Sequence, residues 1–102
     1  MDPVLAKIKR LVLAGRLVWT VHAETQMAEC GLDRQAVVEA ILNAQWVQTK
    51  RSRSPWRRGR TERVHIIKSF SFDGVFVYVK GVVRTVHGRD EFYVIVSAKK
   101  AD

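Results

Sequence analysis

Apolar positions change their spacing along this chain, from every third or fourth residue near the start to every second residue near the end. Leu5, Ile8, Leu11 and Val12 repeat at helical spacing between Asp2-Pro3 and Gly15. Aspartate caps a helix and proline suits its first position, where an N–H has no partner anyway, so a first helix is predicted from about Pro3 to Ala14. Leu17 to Thr20 is a brief extended apolar segment that leads into Thr20 as the next cap. A short second helix then runs from Val21 to Cys30 and stops at Gly31. Asp33 caps a third through about Ala44, burying Val37, Val38, Ala40 and Ile41. Trp46 to Thr49 reads as a first strand. Arg51 to Arg60 reads as a loop, because Ser52, Ser54, Pro55 and Gly59 deny it regular structure.

The stretch from Arg63 to Ala98 reads as two β-hairpins in series. Asp73-Gly74 lies between two β-rich runs and is the pair that a tight two-residue turn prefers. Pairing outward from it sets Phe72 opposite Val75, Phe70 opposite Val77, Ser69 opposite Tyr78 and Ile67 opposite Lys80. A second turn at Gly88-Arg89 sets Arg84 opposite Tyr93, Val83 opposite Val94 and Lys80 opposite Ser97. Side chains alternate between faces, so Val64, Ile66, Phe70, Val75, Val77, Val79, Val83, Phe92, Val94 and Val96 form an apolar core face. The opposite face carries His65, Ser69, Tyr78, Lys80, Arg84, Tyr93 and Ser97, with Ile67, Phe76, Val82 and Ile95 among them. The expected fold is a single α+β domain over residues 1–102, with N-terminal helices packed on one face of a mainly antiparallel, four-stranded twisted sheet.

Charge adds a second pattern. The formal charge is +8, and seven basic residues (Lys50, Arg51, Arg53, Arg57, Arg58, Arg60 and Arg63) stand against Glu62 alone in one segment. Such local concentration suits a polyanion, and nucleic acid fits better than a membrane surface because no amphipathic basic helix accompanies it. Trp56 adds a stacking ring to the arginines, so Arg51, Arg53, Trp56, Arg57, Arg58, Arg60 and Arg63 form a candidate phosphate-contacting segment. The same charges also suit docking of an acidic protein. A single cysteine, Cys30, points to a reducing compartment. Lys7, Lys9 and Arg10 interrupt the first apolar stretch, so neither a signal peptide nor a membrane span is read, and a cytoplasmic location is expected. The spacings of His22, His65, His87 and Cys30 fit no zinc pattern, and no metal or other cofactor is expected.

The run from Thr20 to Asp33, TVHAETQMAECGLD, followed by a helix with Val37-Val38-Glu39-Ala40-Ile41, resembles domain-of-unknown-function family 4258. Those small bacterial proteins open with a T-x-H-A-x-x-R-M-x-x-R-G pattern and are similar to the RelE and ParE toxin superfamily. Gln26 and Cys30 stand here where the family has arginines. The resemblance implies a RelE-like fold, a toxin of a toxin–antitoxin system, metal-independent cleavage of RNA such as ribosome-bound mRNA, and an acidic antitoxin partner. Fold alone does not fix that activity.

Cleavage of this type needs a base for the 2′-hydroxyl, positive charge at the phosphate and a proton donor for the leaving oxygen. Tyr78, Lys80, Arg84 and Tyr93 on the polar sheet face are the main candidates, with the arginine for phosphate and the tyrosines for bases. His22 matches the family's histidine and falls near a helix start, where the positive dipole end disfavours imidazolium, so it is the candidate base or proton donor. An ordinary solvated sheet face would carry the same alternation. Catalysis, binding without catalysis and protein docking therefore stand as competing expectations.

Overall fold

Residues 2–53 and 61–101 are described in this computed structural model. The chain runs α1 (Pro3–Leu13), β1 (Leu17–Trp19), α2 (Val21–Cys30), α3 (Arg34–Asn43), β2 (Gln48–Arg53), β3 (Thr61–Phe70), β4 (Phe76–Val86) and β5 (Asp90–Lys100). The three helices form where local chemistry demands them. Asp2, Thr20 and Asp33 accept backbone N–H groups of Val4, Ala23 and Ala36, which would otherwise be unpaired in the first turns. Gly31 ends α2 in the left-handed conformation at φ 68°. Among the described residues no helix is long and apolar enough to cross a membrane.

The fold is α+β, but its sheet has five strands in the order β1-β5-β4-β3-β2 and is mixed rather than purely antiparallel. The short Leu17–Trp19 segment adds the fifth strand by pairing parallel to β5, Leu17 beside Tyr93 and Trp19 beside Ile95. Residues 51–53, expected in the basic loop, instead belong to a strand, since Gln48–Arg53 pairs with Thr61–Ile66 as an antiparallel ladder. Trp46 precedes this strand instead of opening it.

Register departs from the expectation in both hairpins, for a local reason in each. In the first, Phe70 pairs with Phe76, Lys68 with Tyr78 and Ile66 with Lys80, one step from the predicted pairing. Phe72 joins Asp73 and Gly74 in a three-residue loop: Ser71 N–H donates to the Val75 carbonyl at 2.8 Å and Gly74 N–H to the Ser71 carbonyl at 3.0 Å. Gly74 takes φ 84°, the left-handed residue that such loops need. In the second, Lys80 does pair with Ser97 as expected, but Gly81 pairs with Ile95, leaving Val96 as a bulge. From there to the turn the pairing is again shifted, with Val83 opposite Tyr93 and Arg84 opposite Phe92.

A one-step slip turns a strand over. The core accordingly takes Ile67 from β3, Val77 and Val79 from β4, and Tyr93, Ile95 and Ala98 from β5, packed with Leu5, Ile8, Met27, Val37 and Ile41 of the helices. Each fully buried aliphatic side chain of this kind stabilises the fold by about 1.5–3 kcal/mol. Val77 and Val79 were expected there; Phe70, Phe92, Val94 and Val96 were too, yet none belongs to this cluster. His65, Ser69, Ile67 and Ile95, expected on the polar face, are buried on the helix side.

Candidate nucleic-acid interface

Side chains on the sheet face away from the helices fall in rows across the strands. At the end nearest the Asp73 turn, Phe70 and Phe76 stack with ring centroids 4.7 Å apart and planes inclined by 27°. Phe70 is 54% exposed, an unusual state for a large aromatic in a strand. The next row is Lys68–Tyr78–Lys99 across β3, β4 and β5. Lys99 Nζ lies 5.4 Å from the centre of the Tyr78 ring, within cation–π range. Beyond it comes Ile66–Lys80–Ser97.

Two open clefts flank Lys68. One, of about 540 Å³, is lined by Trp46, Phe70 and Phe76 together with Asn43, Gln45, Lys68 and Ser69. The other, of about 310 Å³, is lined by Lys68, Tyr78, Lys99, Lys100 and Ala101. Among the described residues no acidic side chain lines either cleft, where rings and ammonium groups alternate.

The far end of the same face is built differently. β3 and β4 are paired only as far as His65 and Gly81, although β3 begins at Thr61 and β4 continues to Val86. Gly81 lies beneath the Tyr93 ring, where a Cβ would sit 2.5 Å from Cζ, and the Tyr93 hydroxyl donates to the His65 carbonyl at 3.0 Å. Past this point the strands part around a cleft of about 450 Å³ lined by Glu62, Arg63, His65, Val82, Val83, Arg84 and Thr85. Arg84 reaches across it, with Nη2 donating to both Glu62 carboxylate oxygens at 3.3 Å. Arg84 Nε is buried and has no partner among the described residues. His65 Nδ1 and Thr49 Oγ1 are hydrogen-bonded at 2.9 Å. Burial first, then the Arg63 guanidinium, hold His65 below its ordinary value of 6.5, against an opposing pull from Asp2.

The expected catalytic set is therefore not assembled as one group. Tyr78, Lys80 and Arg84 do share the outer face of β4, but Arg84 is paired with Glu62. Tyr93 is a correction: it is fully buried on the helix side because the Val96 bulge reverses its facing, and burial raises its hydroxyl well above the ordinary range, with Tyr78 adding to the effect. A phenol so placed is a packing and hydrogen-bonding group. His65 likewise sits on the helix side of β3, not on the polar face. His22 is exposed on α2, and no hydrogen bond joins it to Tyr78, Lys80 or Arg84 among the described residues.

Gln26, one turn beyond His22, uses its amide oxygen to accept from Ser97 Oγ at 2.6 Å and from Ala98 N–H at 3.2 Å. An arginine has no acceptor and cannot take that role. The glutamine at this position thus has a structural use that an arginine could not serve. Of the basic segment, Arg51 and Arg63 are exposed partners on β2 and β3, and Arg53 ends β2 beside Thr61. Trp56, Arg57, Arg58 and Arg60 lie outside the described residues.

Lys68, Lys99, Phe70, Phe76 and Trp46 were missed as site residues. The signal for most of them was the loop length, since counting Phe72 into a three-residue turn puts Phe70 beside Phe76 and Lys68 beside Tyr78. Compared with known proteins, the chain matches no family model and no curated protein sequence.

Proposed function

We propose that this protein binds single-stranded RNA along the outer face of its sheet. The observation that carries the reading is the stacked Phe70–Phe76 pair beside the Lys68–Tyr78–Lys99 row, with no carboxylate lining the clefts between them among the described residues. Aromatic faces stack on unpaired bases of any identity, and ammonium groups meet phosphates, which is the chemistry of a single-strand platform. Alternate residues of β4 rise about 6.7 Å apart, so a strand lying along Phe76, Tyr78 and Lys80 meets rings and then charge in succession. The resemblance of residues 20–33 to family 4258 favours RNA over DNA as the ligand.

A second reading, a metal-independent endoribonuclease toxin, draws on Tyr78 and Lys80 at the centre of this platform. It ranks below binding because Arg84 is paired and Tyr93 is buried. Fluorescence anisotropy with a labelled single-stranded oligoribonucleotide separates the possibilities. Tyr78→Ala should weaken binding about 5- to 100-fold, the value of one stacked base. Affinities unchanged in Tyr78→Ala and in Lys68→Ala would remove the platform. Cleavage of the same oligonucleotide in the presence of a chelator, lost in Lys80→Ala, would promote the second reading.

A further inference from the structure

The geometry points to a separate phosphate subsite in the cleft between β3 and β4, where the Glu62 carboxylate holds the place of the ligand. Three features converge on it. Arg84 offers five N–H donors, yet among the described residues only Nη2 is engaged, and its 3.3 Å distances exceed the 2.7–2.9 Å typical of a fully formed charge-assisted bond. Its buried Nε has no partner among the described residues, so a ligand with oxygens spaced as in phosphate can use donors that the carboxylate leaves idle. Glu62 is also the lone acidic residue in the arginine-rich segment, and its side chain is only 20% exposed. A carboxylate half-withdrawn from water needs a cationic partner, and Arg84 supplies it until a stronger anion arrives.

The cleft is continuous with the platform. Phe76, Tyr78, Lys80, Val82 and Arg84 alternate along one face of β4, so a strand that stacks at Phe76 arrives at Arg84 after about 27 Å. Arg63 stands exposed on the near wall to take a second oxygen. An RNA backbone phosphate displaces Glu62 from Arg84, and Glu62 turns out to solvent on its own side-chain torsions. The carboxylate acts as a built-in competitor that sets the threshold for binding. This inference rests on the platform reading for the identity of the strand, but the cleft itself can be tested without RNA.

The test is a set of titrations on the intact chain. Glu62→Gln should raise affinity for single-stranded RNA about tenfold, the worth of one freed charge-assisted hydrogen bond. Glu29→Gln, which makes the same charge change on the exposed surface of α2, should raise it much less. In an Arg84→Gln background, Glu62→Gln should do no more than Glu29→Gln. Glu62→Asp keeps the net charge and shortens the reach, so it should give a smaller gain that bulk charge cannot explain; it also serves if Glu62→Gln folds poorly. Orthophosphate alone should shift the Arg84 Nε–H resonance, and at lower concentration in Glu62→Gln than in the parent. Binding that falls or stays level in both Glu62 variants overturns the proposal, because Glu62 then orients Arg84 instead of competing for it. A gain that persists without Arg84 overturns it too. Tighter orthophosphate binding with no gain for RNA would make this a free-phosphate site and overturn the backbone assignment. Should RNA fail to bind any variant while the orthophosphate response remains, the platform falls and the cleft stands.

Discussion

The two ends of the outer sheet face carry the same raw materials, cations and rings on alternate residues, but they hold them in opposite states. Around Tyr78 the β3–β4–β5 ladder is continuous, and Lys68 and Lys99 flank the ring with no carboxylate lining the cleft among the described residues. Around Arg84 the ladder has parted, and the space is bridged by a carboxylate from the neighbouring strand. A continuous ladder keeps side chains in fixed rows and leaves charge facing solvent. A parted ladder lets a neighbour reach in and neutralise it. Pairing geometry, more than residue type, decides which cations are available to a ligand.

The strongest way to break this contrast is to remove the group at the parting point. Tyr93→Ala should cost about 3–5 kcal/mol in urea denaturation, since a fully buried ring is removed together with its bond to the His65 carbonyl. Gly81→Val attacks the same contact from the other side and should destabilise strongly, because its Cβ has no room beneath the ring. A Gly81→Val protein as stable as the parent would show that Tyr93 does not hold the strands at this point.

Binding sharpens the contrast at the next scale. Lys68→Ala and Lys99→Ala should each reduce the slope of log affinity against log salt by about 0.7 for every phosphate that the lysine neutralises. Arg84→Gln should change affinity less than either, since displacing Glu62 offsets much of what that guanidinium gains from a phosphate. An Arg84→Gln loss greater than that of Lys68→Ala would reverse the ranking of the two ends. Gly74→Ala should cost about 1–2 kcal/mol by forcing a side chain into the left-handed region, which tests the turn that sets the platform's register. Its effect on RNA affinity should exceed that of any surface change on α1.

The smallest effect is that of pH. His65 is held below 6.5 in the folded protein, so the unfolded chain binds more protons as pH falls beneath that value. Its contribution to stability is complete above about 6.5 and is lost as pH drops through the lowered folded value. Urea midpoints at pH 7.5 and 5.0 should differ in that direction, and His65→Gln should narrow the difference. Equal narrowing in His22→Gln would assign the dependence elsewhere.

Much of this fold was legible in the chain because its helices are specified locally. Asp2, Thr20, Asp33 and Gly31 act within one turn of themselves, and each is where its residue type predicts. Strand facing depends on counts, and one residue changes everything beyond it. Asp73-Gly74 is a strong two-residue turn signal, yet Phe72 also belongs to the loop, so β3 turned over and took Phe70 and Lys68 outward with it. The Val96 bulge was hidden because Tyr93 to Ala98 is apolar or small on both faces, leaving no alternation to break. Thus Tyr78, Lys80 and Arg84 were placed on the right face while Tyr93 was not. The Glu62–Arg84 pair joins strands that are not paired at that point, and no short-range pattern encodes it.

The closure of the sheet by α2 has a consequence for how copies of the chain meet. On one side β1 is three residues long, and beyond it Thr20 and Gln26 cap the Ile95 carbonyl and the Ala98 N–H of β5. On the other side β2 ends the strand order with Lys50 and Arg51 exposed along it. The first border is guarded by shortness and the second by like-charge repulsion. Salt screens only the second. Raising ionic strength should therefore lower the barrier to self-association, and along a single border of the molecule.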